Sequence, residues 1–131
     1  YIDVTAEKMR IYKELDSIVK TEEIDRMAVM VEDRFGKMPE ELRNLFDIIR
    51  IRQIGEKLGF EKIIIKNGIM ICFMISNQLS PYYRKEFFEL LAQAGKYPTL
   101  FDYSNRNGKN RIISRNIQSI PAALAALKKL L

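Results

Sequence analysis

Asn67-Gly68 sits between Glu61-Lys62-Ile63-Ile64-Ile65-Lys66 and the apolar run from Ile69 to Ile75. Both central positions of a two-residue type I′ turn need positive φ, which Asn and Gly adopt at low cost, so the pair predicts an antiparallel hairpin. The turn also sets the register. Ile63, Ile65, Met70, Cys72 and Met74 then share one face, and Lys62, Ile64, Lys66, Ile69, Ile71 and Phe73 share the other. The lysine-free face is expected to meet the core, because an unpaired ammonium is costly to bury.

A hairpin needs further elements to shield it, and the flanking sequence supplies them. Pro39 at N1, followed by Glu40 and Glu41, predicts a helix running to Gly59. Its apolar stripe changes side halfway: Leu42, Leu45, Phe46 and Ile49 form one face, Ile51, Ile54 and Leu58 the opposite one. One amphipathic surface cannot produce that pattern. The first half is therefore expected to pack in a helical layer and the second against a sheet. Upstream, a short helix with Thr5 as N-cap and Val4 stapled on Met9 should turn Tyr12, Leu15 and Val19 inward. A second helix, from Thr21 to Gly36, should bury Ile24, Met27, Ala28, Val31 and Phe35.

Beyond the hairpin, Ser80-Pro81 predicts an N-cap and N1 for a helix that buries Tyr83, Phe87, Leu90, Leu91 and Ala94 before Gly95. Tyr97 to Tyr103 and Arg111 to Ile117 read as strands around the polar loop Ser104 to Asn110, with Pro98 marking an edge. A last helix after Ser119 should bury Ile120, Leu124, Leu127 and Leu131. The expected fold is α+β: a three-helix layer on a small, mostly antiparallel sheet of about four strands, with two further helices. Residues 1–131 are expected to form a single domain.

The chemistry of the chain is sparse. It has no histidine, which removes the commonest acid-base catalyst and transition-metal ligand. None of its six glycines lies in a GxxxxGK[ST] or GxGxxG phosphate cradle. The single cysteine, Cys72, lies in an apolar run and reads as a small buried hydrophobe. No catalytic residue, metal site or cofactor is expected. With no apolar run of about 18 residues and no signal-peptide pattern, the chain reads as soluble and cytoplasmic, with no membrane partner.

What remains is surface. At 100° per residue, Asp33 points almost directly away from the buried stripe of its helix, and Arg26, Val29 and Met30 share that outward side. Apolar residues ringed by charge suit a docking surface.

The stretch Glu32-Asp33-Arg34-Phe35-Gly36-Lys37-Met38-Pro39 is followed by a long helix containing Ile49-Arg50-Ile51-Arg52 and ending at Leu58-Gly59-Phe60-Glu61-Lys62-Ile63. Together with Tyr1-Ile2 and Arg10-Ile11-Tyr12-Lys13-Glu14-Leu15, it resembles the C-terminal domain of the bacterial transcription-repair coupling factors. The resemblance covers residues 1 to about 65, and its most specific element is the Asp-Arg-Phe-Gly turn with its proline. It implies a non-catalytic regulatory piece of an ATP-driven DNA translocase that acts on stalled RNA polymerase and recruits repair proteins. It also implies intramolecular docking on an N-terminal UvrB-like module, which masks the surface for UvrA; polymerase and DNA would be contacted through the parent. On that reading Glu32 and Asp33 supply charge, Val29 and Met30 apolar contact, and Arg26 and Arg34 pairing at the rim. Met30 stands where family members commonly carry an acid, so the interface would be less polar here.

The charge balance supports a second reading. Residues 1–59 carry 11 Lys and Arg against 13 Asp and Glu, whereas residues 60–131 carry 11 against 4. Lys96, Arg106, Lys109, Arg111 and Arg115, with Tyr97, Phe101 and Tyr103 as stacking rings, could form a nucleic-acid site.

Overall fold

The computed structural model describes residues 21–131, so the expected helix around Thr5 to Val19 lies outside the described residues. The chain divides into two compact units, Tyr1–Gln53 and Ile54–Leu131. Their boundary falls inside a helix.

In the first unit, α1 (Thr21–Phe35) ends where Gly36 adopts φ +89 and donates its N–H to the Glu32 carbonyl at 2.8 Å. That left-handed cap is open to glycine at little cost. Helix α2 (Glu40–Leu58) follows, with the Pro39 carbonyl accepting from Leu42 and Arg43. Ile24 and Val31 of α1 meet Phe46 and Ile49 of α2 in one core, with Met27, Ala28, Leu42 and Leu45 packed around it. Phe35 differs from expectation: it is 43% exposed, and Met38, beyond the cap, is buried instead. Phe35 is the last helical residue, so its inward azimuth has no further turn to pack beside, and its ring lies against the Arg34 guanidinium at 5.6 Å.

One polar clamp holds α1 on α2. Arg50 donates Nη2 to Asp25 at 2.7 Å and Nη1 to Asp47 at 2.9 Å, with Nε also on Asp25 at 3.2 Å. Arg50 and Asp47 are only 20% and 17% exposed, which limits the screening of that pair, whereas Asp25 is 59% exposed and its pairing is the more screened. Arg50→Ala is expected to lower the stability of this unit by about 1–2 kcal/mol, read as a shift in denaturation midpoint; an unchanged midpoint would mean that the clamp adds nothing beyond helix packing.

The second unit begins with the last turn of α2, where the buried Gly55 leaves so little room that a Cβ would lie 2.9 Å from Ile63 Cδ1. Gly55 thus sits close against Ile63 and Phe60 at the start of the hairpin. Strands β1 (Phe60–Lys66) and β2 (Ile69–Met74) pair antiparallel as expected, with Asn67 at φ 53 and Gly68 at φ 76. Met70, Cys72 and Met74 are buried, confirming which face is internal. Burial pushes the Cys72 thiol up to about 12, which keeps it protonated.

The expected helix at Ser80 is divided. Ser80 caps a 3-10 turn, Pro81–Arg84, and α3 (Glu86–Ala94) starts after it. Strands β3 (Phe101–Arg106) and β4 (Lys109–Arg115) begin earlier or later than their expected limits. Tyr97 to Leu100 are held in turns, with the Tyr97 carbonyl accepting from Leu100 and Phe101. The expected polar loop is instead the end of a second hairpin, with Asn107 at φ 55 and Gly108 at φ 76. The same Asn-Gly rule applies there, but the polar residues around it conceal the strands. Helix α4 (Ile120–Lys128) is capped by Ser119, and Leu130 takes the buried place expected of Leu131.

The sheet order is β1-β2-β4-β3, with each neighbouring pair antiparallel. With the described helices it makes an α+β fold. No helix among the described residues is long and apolar enough to cross a membrane.

Candidate interaction surfaces

The six residues expected at a docking face all lie exposed on α1: Arg26, Val29, Met30, Glu32, Asp33 and Arg34. Val29 is 62% and Met30 58% exposed, large values for side chains that gain roughly 1.5–3 kcal/mol on full burial. Their placement follows from helical geometry. Ile24 and Val31 are drawn into the core, so positions half a turn away must face outward. Arg26, Val29, Met30 and Asp33 form the centre of this face, with Arg34 and Glu32 toward opposite flanks. Glu32 and Asp33 have no ion pair among the described residues, which leaves their carboxylates available to a cationic partner. Phe35, which its spacing assigns to the buried stripe, adds an exposed ring at the end of the helix. Only the way the helix terminates reveals that.

The cations of the second reading are distributed differently. Arg106, Lys109, Arg111 and Arg115 share the outward side of β3 and β4, while Lys96 follows α3 and is not on it. Arg115 is ion-paired with Asp102, and Arg111 donates to Ser104 Oγ at 3.0 Å. The aromatic rings are elsewhere. Phe101 is buried, Tyr97 packs edge-on against it beneath the Lys129 ammonium, and Tyr103 lies against Phe87 and donates to Asn110. The structure does not bring these rings and cations together on one face.

A cleft of about 360 Å³ between α3 and the C-terminus is lined by Lys57, Leu58, Glu86, Glu89, Gln93 and Leu131, among others. Among the described residues there is no cluster of three or more cysteines or carboxylates able to hold a metal.

Comparison with known proteins agrees with the elements seen here. The family model of the TRCF domain matches residues 1–84. The transcription-repair-coupling factor of Escherichia coli K12 is 35% identical over 75 residues, 56% of this chain. That of Buchnera aphidicola is 35% identical over 60 residues, and that of Rickettsia prowazekii 30% over 63. The chain spans only 6–7% of the length of these relatives. Its fold matches the crystal structure of a C-terminal domain of a transcription-repair coupling factor with a TM-score of 0.73 at 16% identity, covering 99% of this chain and 82% of that one. With the family model spanning more than half of the sequence and the fold agreeing along nearly all of it, the chain belongs to the TRCF domain family.

Proposed function

We propose that this chain is the C-terminal regulatory domain of a larger transcription-repair coupling factor and works by binding protein, with no catalytic step of its own. The outward face of α1 docks on the UvrB-like N-terminal module of the same protein and covers the surface that recruits UvrA. ATP hydrolysis, DNA translocation and contact with RNA polymerase belong to the rest of the parent. The observation that carries this reading is the exposed Val29-Met30 pair beside the unpaired carboxylate of Asp33. An apolar centre excludes water at the middle of an interface, and charges at its edge select the partner.

Calorimetric titration of the domain against the separately produced N-terminal module tests it. Saturable binding is expected, and Asp33→Lys should weaken it on the order of tenfold or more, because the reversal sets like charges together. The variant's unfolding free energy should stay within about 0.5 kcal/mol of the native chain's, as befits an exposed position. Undiminished binding by Asp33→Lys would remove Asp33 from the interface, and absence of binding by the native domain would refute the docking itself.

A further inference from the structure

The outward side of the sheet has an order that composition does not disclose. The pairing register places Lys62, Ile64 and Lys66 of β1 beside Phe73, Ile71 and Ile69 of β2, and these beside Arg111, Ile113 and Arg115 of β4. An entirely apolar strand thus runs between two strands that each read cation-isoleucine-cation. Arg106 and Lys109 extend the cationic margin at the hairpin end. Of the acids nearby, Asp102 is held by Arg115, and Glu61 in the bulge accepts from the Ser76 N–H at 3.0 Å. None of these outward residues is fully buried, whereas every inward residue of β2 and β4 is.

We infer that this face binds an acidic amphipathic helix of a protein partner, with its apolar seam along Ile69, Ile71 and Phe73 and carboxylates on both flanks. The dimensions suit such an occupant. Strands about 4.8 Å apart put the two cationic rows about 10 Å from each other, close to the width of a helix, and the apolar strip is about 13 Å long, some two and a half helical turns. A second copy of the chain is a poor occupant, because it would set lysine and arginine against their like. Single-stranded nucleic acid is also a poor one: it seeks stacking rings, while the central strip here is two isoleucines and one phenylalanine whose ring already has the Lys62 ammonium 5.8 Å from its centre.

The probe is a fluorescein-labelled peptide of about 21 residues with leucine at a and d and glutamate at e and g. Its binding to the full chain is followed by anisotropy, and the contact is mapped by amide chemical shifts. Binding should shift amides of β1, β2 and β4, and Lys62→Glu/Lys66→Glu should weaken it on the order of tenfold. A scrambled peptide of the same composition should bind at least about tenfold more weakly, since it lacks the seam. Lys62→Gln/Lys66→Gln, milder in charge, should fall between and guards against loss of folding in the reversed variant. Equal binding by the scrambled peptide, by the doubly reversed variant, or shifts confined to another face would overturn the inference. So would tighter binding of a 20-nucleotide single-stranded DNA at the same amides, falling steeply with added salt, which would reassign the face to nucleic acid.

Discussion

Gly59→Ala is expected to cost about 3 kcal/mol or more of unfolding free energy, a large share of the 5–15 kcal/mol typical of a domain. Gly59 ends α2 at φ +83, where any side chain is strained by about 1 kcal/mol. The larger part comes from Tyr82. A Cβ on Gly59 would lie 2.8 Å from the ring's Cδ1 and closer still to Cε1 and Cζ. The ring cannot retreat freely, because its hydroxyl donates to the Leu58 carbonyl at 2.7 Å and its other edges meet Tyr83 and Phe87. Moving it adds overpacking of about 1–3 kcal/mol and weakens a hydrogen bond worth about 1. The same enclosure raises the Tyr82 pKa, mainly by desolvation, with the neighbouring Tyr83 and Glu86 adding to it. Urea denaturation gives the direct measure. In a Tyr82→Ala background the penalty of Gly59→Ala should fall to about 1 kcal/mol, and equal penalties in both backgrounds would show that the ring is not the obstacle.

Phe46→Ala is expected to be at least as damaging, about 3–5 kcal/mol, because it empties the centre of the first unit's core. Phe46 is 1% exposed and packs in the cluster that includes Ile24, Val31, Met38 and Ile49. Two of these partners come from α1, so the loss should appear as faster amide exchange along that helix as well as a lower denaturation midpoint. The docking proposed for the outward face of α1 should weaken in parallel, since that face depends on the inward one being held. Phe46→Leu, which keeps most of the volume, should recover much of both. Asp33→Lys makes the contrast: it should weaken docking while leaving the midpoint in place. If Phe46→Ala left α1 exchange unchanged, the helix would owe its order to something other than this core.

The first Asn-Gly hairpin and the side of it that is buried were legible because turn geometry and alternation of lysine agree on one register. The change of face within α2 is equally legible, since Ile49 and Ile51 are both buried yet lie about 160° apart around the helix axis. The second hairpin was less so. Its Asn107-Gly108 turn carries the same instruction, but Ser104, Asn105, Arg106, Lys109 and Asn110 are polar and suggest a loop unless the turn is given precedence. Asn110 is in fact buried, accepting from Tyr103 and from Asn105 Nδ2 at 3.0 Å, and so a residue that reads as loop is part of the interior. Phe35 and Leu131 were misplaced for a common reason: periodicity assigns an azimuth but does not say where neighbouring elements stop.

For the surfaces, the sequence by itself determined the membership of the α1 face. A single helix needs only its own period to decide which residues leave the core together, so Val29, Met30 and Asp33 share a face whatever the helix packs against. The outward side of the sheet is different in kind. Its basic residues were visible along the chain, but the strip of Ile69, Ile71 and Phe73 between Lys62–Lys66 and Arg111–Arg115 exists only because β2 pairs with β4 across the intervening α3 and β3. Strand order is a long-range choice, made by which hairpin faces bury together, and no local spacing encodes it.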